Sequence, residues 1–329
     1  MSIHQPHQNT IGTALDLVGS LINHSCDPNA FIFFEQSQLR VRSLRPITAG
    51  EEIAQTYVDS RLGVMMRQKI LKSDYFFTCE CEYRTDFSFT WLSKEKFLGG
   101  SRCQEELRDC QAWASKENIS VHVFADTENE ILQCLNRVIK DRNTSGTRKA
   151  LEQIEADFSL LTTRVFPKQD WPDTLWPMND VKLLLAKLYK DNENHQQAVI
   201  YALKGCLGFT RRSGPEWDDT LFELLQFIAL LVIPERKGIS AKPSSFPGDQ
   251  QLWDFFHGLL HQLLLQSEKT FGLDTAYTKA IITWHANAER SAGRPLPGET
   301  GFSKRFDKAQ SVILSWAEID MSRKIVLTG

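Results

Sequence analysis

Short apolar runs broken by turn residues open the chain, and helical periodicity takes over after about residue 100. Ala30–Phe34 is a compact apolar run, and Gln38–Leu44 alternates polar and apolar positions as a half-buried strand does. Pro46 and Gly50 punctuate a turn over Arg45–Gly50. Ile53–Val58 follows as a further strand, and a helix is predicted from about Arg61 to Lys72. Later, Val181, Leu184, Leu185 and Leu188 recur at helix spacing, as do Leu221, Leu224, Leu225 and Ile228. Helical stretches are also predicted over 104–115, 128–140, 147–161, 196–209, 252–267 and 275–289. Breaks rich in Gly, Pro or Ser fall at Asn143–Gly146, Pro234–Pro247 and Ala292–Gly301. The expected class is α+β, with a β-rich front over residues 1–85 and an all-α domain over 86–329.

Within the helical part, the stretch from Leu184 to Leu207 reads as two antiparallel helices joined by a polar turn. It resembles one tetratricopeptide unit, with Tyr189 and Ala198 at suggestive places, although three clean copies are not detected.

Composition narrows the function class. The chain has 329 residues, enough for two cores, with 42% apolar and 24% charged residues. Lys and Arg number 38 against 41 Asp and Glu, a net charge of −3. That balance argues against a polybasic membrane binder and carries no direct nucleic-acid signature. No apolar run approaches the roughly 20 residues of a membrane span, and the polar start lacks the apolar stretch of a signal peptide. Seven cysteines over this length fit reduced thiols or a metal site better than a disulfide framework. The expectation is an intracellular protein, nuclear or cytoplasmic or both.

Candidate chemistry concentrates in the sequence Asn23-His24-Ser25-Cys26-Asp27-Pro28-Asn29, between an apolar segment and an apolar strand. Gly50-Glu51-Glu52-Ile53 with Thr56-Tyr57 follows, and then Arg67-Gln68, Leu71 and the run Tyr75-Phe76-Phe77-Thr78-Cys79-Glu80-Cys81. The first group matches the NHSCxPN motif of SET-domain protein methyltransferases. The second resembles that family's GEEI…Y segment. The third resembles the RxxxL…YxFxCxC stretch of the SET-and-MYND branch. The resemblance covers roughly residues 10–85, in family order and at family spacing.

The resemblance implies S-adenosylmethionine (SAM) as cofactor and a protein substrate bearing a lysine, histone or non-histone. The Asn23-His24 backbone and the Asn23 side chain would hold the methionine part, and Phe77 would stack on the adenine. Tyr57 would be the catalytic residue beside the transferring methyl, and Tyr75 would line the lysine channel by cation–π attraction. Lysine titrates near ~10.4 in water, so such a site must desolvate the amine and place positive charge beside it. The resemblance further implies zinc at Cys26, Cys79 and Cys81. Arg84 stands where the last cysteine of that cluster is expected, and a cation there would repel a metal.

The family's glycine-containing SAM-binding turn lies well before NHSC. The 22 residues ahead of Asn23 carry Gly12 and Gly19 without a paired-glycine turn. The expectation is therefore the C-terminal half of a SET fold with a post-SET segment, followed by the helical domain. The alternative function is a non-catalytic helical protein-interaction module that retains this residual half domain. His257 and His261 stand at i, i+4, a spacing able to bind metal, but no HExxH-type carboxylate accompanies them and a chance helix face is expected. Trp171 and Trp176 are expected as packing residues.

Overall fold

In a computed structural model, the described residues are 2–3, 12–13, 16–79, 102–145, 147–166, 171, 176–209, 212, 214–232, 246–289 and 297–327. The front is built of short strands: β1 (Ser2–Ile3) pairs with β2 (Gly12–Thr13), and β3 (Asn23–His24) precedes the hairpin β4 (Ala30–Glu35) and β5 (Gln38–Ser43). The hairpin runs in register from Ala30↔Ser43 to Glu35↔Gln38. Its two-residue turn holds Gln36 at φ 55°, a left-handed position more often given to Gly or Asn. Ala30, Phe33 and Phe34 of β4 are buried, and Phe31 stacks on Phe33 with centroids 5.0 Å apart.

The strand predicted at Ile53–Val58 shrinks to β6 (Ala54–Gln55), which pairs in parallel with β3 as Asn23↔Ala54 and His24↔Gln55. The Ser25 N–H extends that contact to the Gln55 carbonyl at 2.8 Å. The ladder stops at Tyr57 because its N–H is given to the His24 imidazole, leaving no backbone donor for the next rung. Helix α1 (Val64–Asp74) follows, close to the prediction, and buries Val64, Met66, Arg67 and Leu71.

The described chain divides into two compact units. The first contains the strands, α1, α2 (Arg102–Lys116), α3 (Val121–Ser145) as far as Asn136, and α4 (Thr147–Val165) from Ala156. Its helical part closes over Phe124, Phe166 and Trp171, whose rings meet at 5.1–6.4 Å. Trp171 is thus a packing residue, as expected.

The second unit contains α5 (Met178–Asp191), α6 (His195–Cys206), α7 (Pro215–Val232), α8 (Asp249–Phe271), α9 (Ala276–Glu289) and α10 (Phe302–Trp316). Local chemistry sets several of its ends. Asn194 caps α6 by accepting the Gln197 N–H, and Pro215 opens α7, where its missing N–H costs nothing. Helix α8 packs on α7, α9 and α10 around Leu259, Leu260, Leu263 and Phe255. Phe255 stacks on Phe306 at 5.6 Å, where Gly258 leaves room for the ring.

Helix α10 is not among the helices predicted from periodicity. Its apolar stripe Phe302, Phe306, Ala309 and Ile313 is diluted by Lys304, Arg305, Asp307 and Lys308 on the solvent side. The expectation of a β-containing front followed by helices holds. Among the described residues, no helix is long and apolar enough to cross a membrane.

Candidate functional site

The motif residues converge on the β3–β6 pair. Asn29 is the strut beneath it, only 3% exposed. Its Oδ1 accepts the Ala54 N–H at 2.9 Å, and its Nδ2 donates to the Glu52 carbonyl at 2.8 Å and to Glu51 Oε1 at 3.1 Å. An amide suits this place because it offers donors and an acceptor at once, so buried polar groups on both sides are satisfied. The Asn29 carbonyl also accepts the Leu44 N–H, tying the strut to the end of the hairpin.

Glu51 closes the turn ahead of β6. It accepts from Arg45 at 2.6 Å and from the Thr48 N–H and hydroxyl, each at 3.1 Å. The Arg45 guanidinium, then the Thr48 N–H and the Asn29 amide, hold its carboxyl far below the usual carboxylate range. A lowered folded-state pKa contributes stability that is present above the unfolded value of 4.5 and is lost as pH falls below it. The wild-type urea midpoint is therefore expected to drop on acidification from pH 4.5 downward more steeply than that of Glu51→Gln. Parallel acid profiles for the two proteins would contradict this role.

Four rings form a wall beside the strut. Tyr57 lies 5.3 Å from His24, 5.0 Å from Tyr75 and 6.3 Å from Phe77 by centroids, and His24 lies 5.8 Å from Phe77. The Tyr57 hydroxyl donates to the Ile22 carbonyl at 2.8 Å, and the Tyr75 hydroxyl donates to the Tyr57 carbonyl at 3.3 Å. Burial, with Tyr75 alongside, pushes the Tyr57 phenol up, so it stays protonated at neutral pH and is no general base. Its oxygen lone pairs remain able to accept. Tyr75 is half exposed, and the Asn23 amide sits at the exposed end of β3 bonded to Glu52 Oε1 at 2.6 Å.

Behind the wall lies a sulfur pair. Cys26 and Cys79 are both buried, with their sulfurs 3.8 Å apart. Two thiolates on one tetrahedral zinc, at bonds of about 2.3 Å, lie about 3.8 Å apart, so this spacing suits that ion. Cys81 and Arg84 lie outside the described residues. His24 Nε2 stands 3.3 Å from Cys26 Sγ, and the three ligand atoms cluster within 4.8 Å. Because His24 Nδ1 accepts the Tyr57 N–H at 3.0 Å, that hydrogen bond assigns the ring proton to Nε2, facing the thiol. His24 is therefore a donor to sulfur in this arrangement, and its metal-facing lone pair is taken.

Two residues outside the predicted site set shape it. Asn29 is quoted in the motif, but its contacts cannot be read from spacing. Gln68, on α1, grips the Cys79 backbone with both ends of its amide: Nε2 donates to the carbonyl and Oε1 accepts the N–H, each at 3.0 Å. Cys79 is thereby fixed opposite Cys26 without help from a strand.

The structure brings Asn23, His24, Tyr57, Tyr75, Phe77, Cys26 and Cys79 into one neighbourhood. For SAM, the fit lies in the wall of aromatic faces, which attract a sulfonium charge, and in the exposed Asn23 amide. Residues 3–58 match the SET domain family. The chain is 40% identical over 100 residues to SET domain and MYND-type zinc finger protein 6 of Schizosaccharomyces pombe, covering 30% of this chain and 21% of that protein. It is 35% identical over 96 residues to histone-lysine N-methyltransferase ASHR1 of Arabidopsis thaliana, covering 29% and 20%. It is also 42% identical over 71 residues to mouse histone-lysine N-methyltransferase SMYD3, covering 22% and 17%. The chain thus spans about a fifth of the length of these curated relatives. The front of the chain carries SET-domain sequence of the SET-and-MYND kind.

Proposed function

We propose that this chain serves protein-lysine N-methylation with SAM as methyl donor. The observation that carries the reading is the placement of Tyr57. Its hydroxyl is anchored on the Ile22 carbonyl with its lone pairs left to accept, inside a wall of rings formed by His24, Tyr75 and Phe77.

SAM, when bound, supplies an electrophilic methyl on a sulfonium. The Asn23-His24 backbone and the Asn23 amide hold its methionine part, and Phe77 offers a face to the adenine. Tyr57 accepts an amine N–H of the incoming lysine and so directs the nitrogen lone pair. The rings of Tyr57 and Tyr75 attract a cationic sulfonium, whose positive charge beside the amine would lower the lysine pKa toward the neutral, nucleophilic form. Little covalent work falls to the protein, and positioning supplies most of the rate. Cys26 and Cys79, with their sulfurs 3.8 Å apart, are the residues that would hold zinc. The α5–α6 pair, with Tyr189 stacked on Tyr201 at 5.2 Å, supports a tetratricopeptide-like surface for the protein substrate.

The test is calorimetric titration of SAM into the purified chain, followed by transfer of labelled methyl to lysine-bearing proteins. Saturable SAM binding with lysine methylation is the expected result. Absence of both would leave the helical interaction module as the reading.

A further inference from the structure

Helices α8 and α9 of the second unit bring together three histidines and a glutamate that lie far from the aromatic wall in sequence. His257 and His261 project from the same face of α8, being one turn apart. The His285 ring on α9 faces them both, at centroid distances of 5.6 and 5.5 Å. Phe302 of α10 meets His257 and His261 edge-on, at 5.3 and 5.5 Å, which holds both imidazoles in place. One ligand atom each from His257, His285 and Glu289 lies within 4.8 Å of the others.

We propose that His257, His261, His285 and Glu289 form a binding site for a divalent transition metal such as zinc.

His285 carries the argument. Its side chain is only 7% exposed, yet its Nε2 has no hydrogen-bond partner, and His261 Nδ1 beside it has none either. A buried ring nitrogen left this way loses its hydration without compensation, unless an ion completes it. The other nitrogen, His285 Nδ1, faces Glu289 Oε1 at 3.4 Å. That carboxylate supplies the oxygen donor of the set.

The donor set is imidazole and carboxylate without sulfur, which suits zinc, cobalt or nickel rather than copper(I), and offers too few oxygens for calcium or magnesium. Zinc–nitrogen bonds of about 2.0–2.1 Å place tetrahedral ligands about 3.3 Å apart, so the ligand atoms of His257, His285 and Glu289, now within 4.8 Å of one another, must draw closer on binding.

Cobalt(II) is the probe, because its spectrum separates this site from the sulfur pair of the first unit. It is added to the full chain carrying Cys26→Ser and Cys79→Ser. The expected result is one cobalt per chain with visible d–d absorption, no sulfur-to-cobalt charge-transfer absorption, and displacement by zinc. His285→Gln should weaken cobalt binding by at least about tenfold. Since His285 is buried, His261→Ala at a half-buried position provides a second reading with the same expected loss, circular dichroism confirming the fold of each. Absent d–d absorption, a charge-transfer band, or affinity unchanged in both variants would overturn the proposal.

Discussion

Tyr57→Phe is expected to lower methyl transfer by about 10²–10³-fold while leaving the fold in place. One positioned polar contact at a developing charge is typically worth about 2.7–4 kcal/mol of barrier. The substitution removes only the hydroxyl, which donates to the Ile22 carbonyl, and keeps the ring contacts to His24, Tyr75 and Phe77. Loss of that single hydrogen bond costs about 1 kcal/mol of stability, because water reaches the half-buried Ile22 carbonyl in its place. Labelled-methyl turnover and the urea midpoint, measured on the same preparations, separate the two effects. Turnover equal to wild type would remove the hydroxyl from the chemistry, and a lost cooperative transition would make it structural.

Gly258→Ala is expected to destabilise the helical unit by about 3 kcal/mol, although Ala is the better helix former. A Cβ at Gly258 would meet Phe306 Cδ2 at 2.0 Å and two further ring atoms at 2.7 Å, well inside any real contact. The ring has no room to yield, being 1% exposed and stacked on Phe255. Helix α10 must therefore move off α8, and such overpacking costs about 1–3 kcal/mol or more. Relief of the glycine entropy returns only about 1 kcal/mol. Because Phe302 on the same helix abuts His257 and His261, the displacement also disturbs the histidine cluster. A denaturation midpoint at or above wild type would mean that α10 adjusts freely.

What could be read from the sequence follows from how each feature is encoded. Of the hairpin strands, β5 was legible because a two-residue period over six positions is a strong signal, and β4 as a compact apolar run. The β3–β6 pair was not, since two residues carry no period and its partner lies 31 positions away (23↔54). Motif spacing gathered Asn23, His24, Tyr57, Tyr75 and Phe77 as candidates, but the direction in which each amide or hydroxyl bonds is a property of the folded backbone. Asn29 and Gln68 illustrate this, each satisfying buried main-chain groups on another element. The histidine cluster was half legible: His257 and His261 are one helical turn apart, whereas His285 joins them only through the packing of α9 on α8. Helix α10 was obscured by its own charged face.

The hydrogen bonds at Tyr57 also say when the site can exist during folding. They reach His24 and Ile22 across 33 and 35 residues of chain. Closing a loop of that size sacrifices chain entropy before any contact repays it, and a two-residue ladder repays little. The β4–β5 hairpin and α1 close locally and can form early, shortening the effective loop and carrying β6 back toward β3. Assembly of the aromatic wall is thus expected after closure of the hairpin. Asn29, bonded both to the hairpin end at Leu44 and to β6 at Ala54, is the residue that ties the hairpin to the long-range pair.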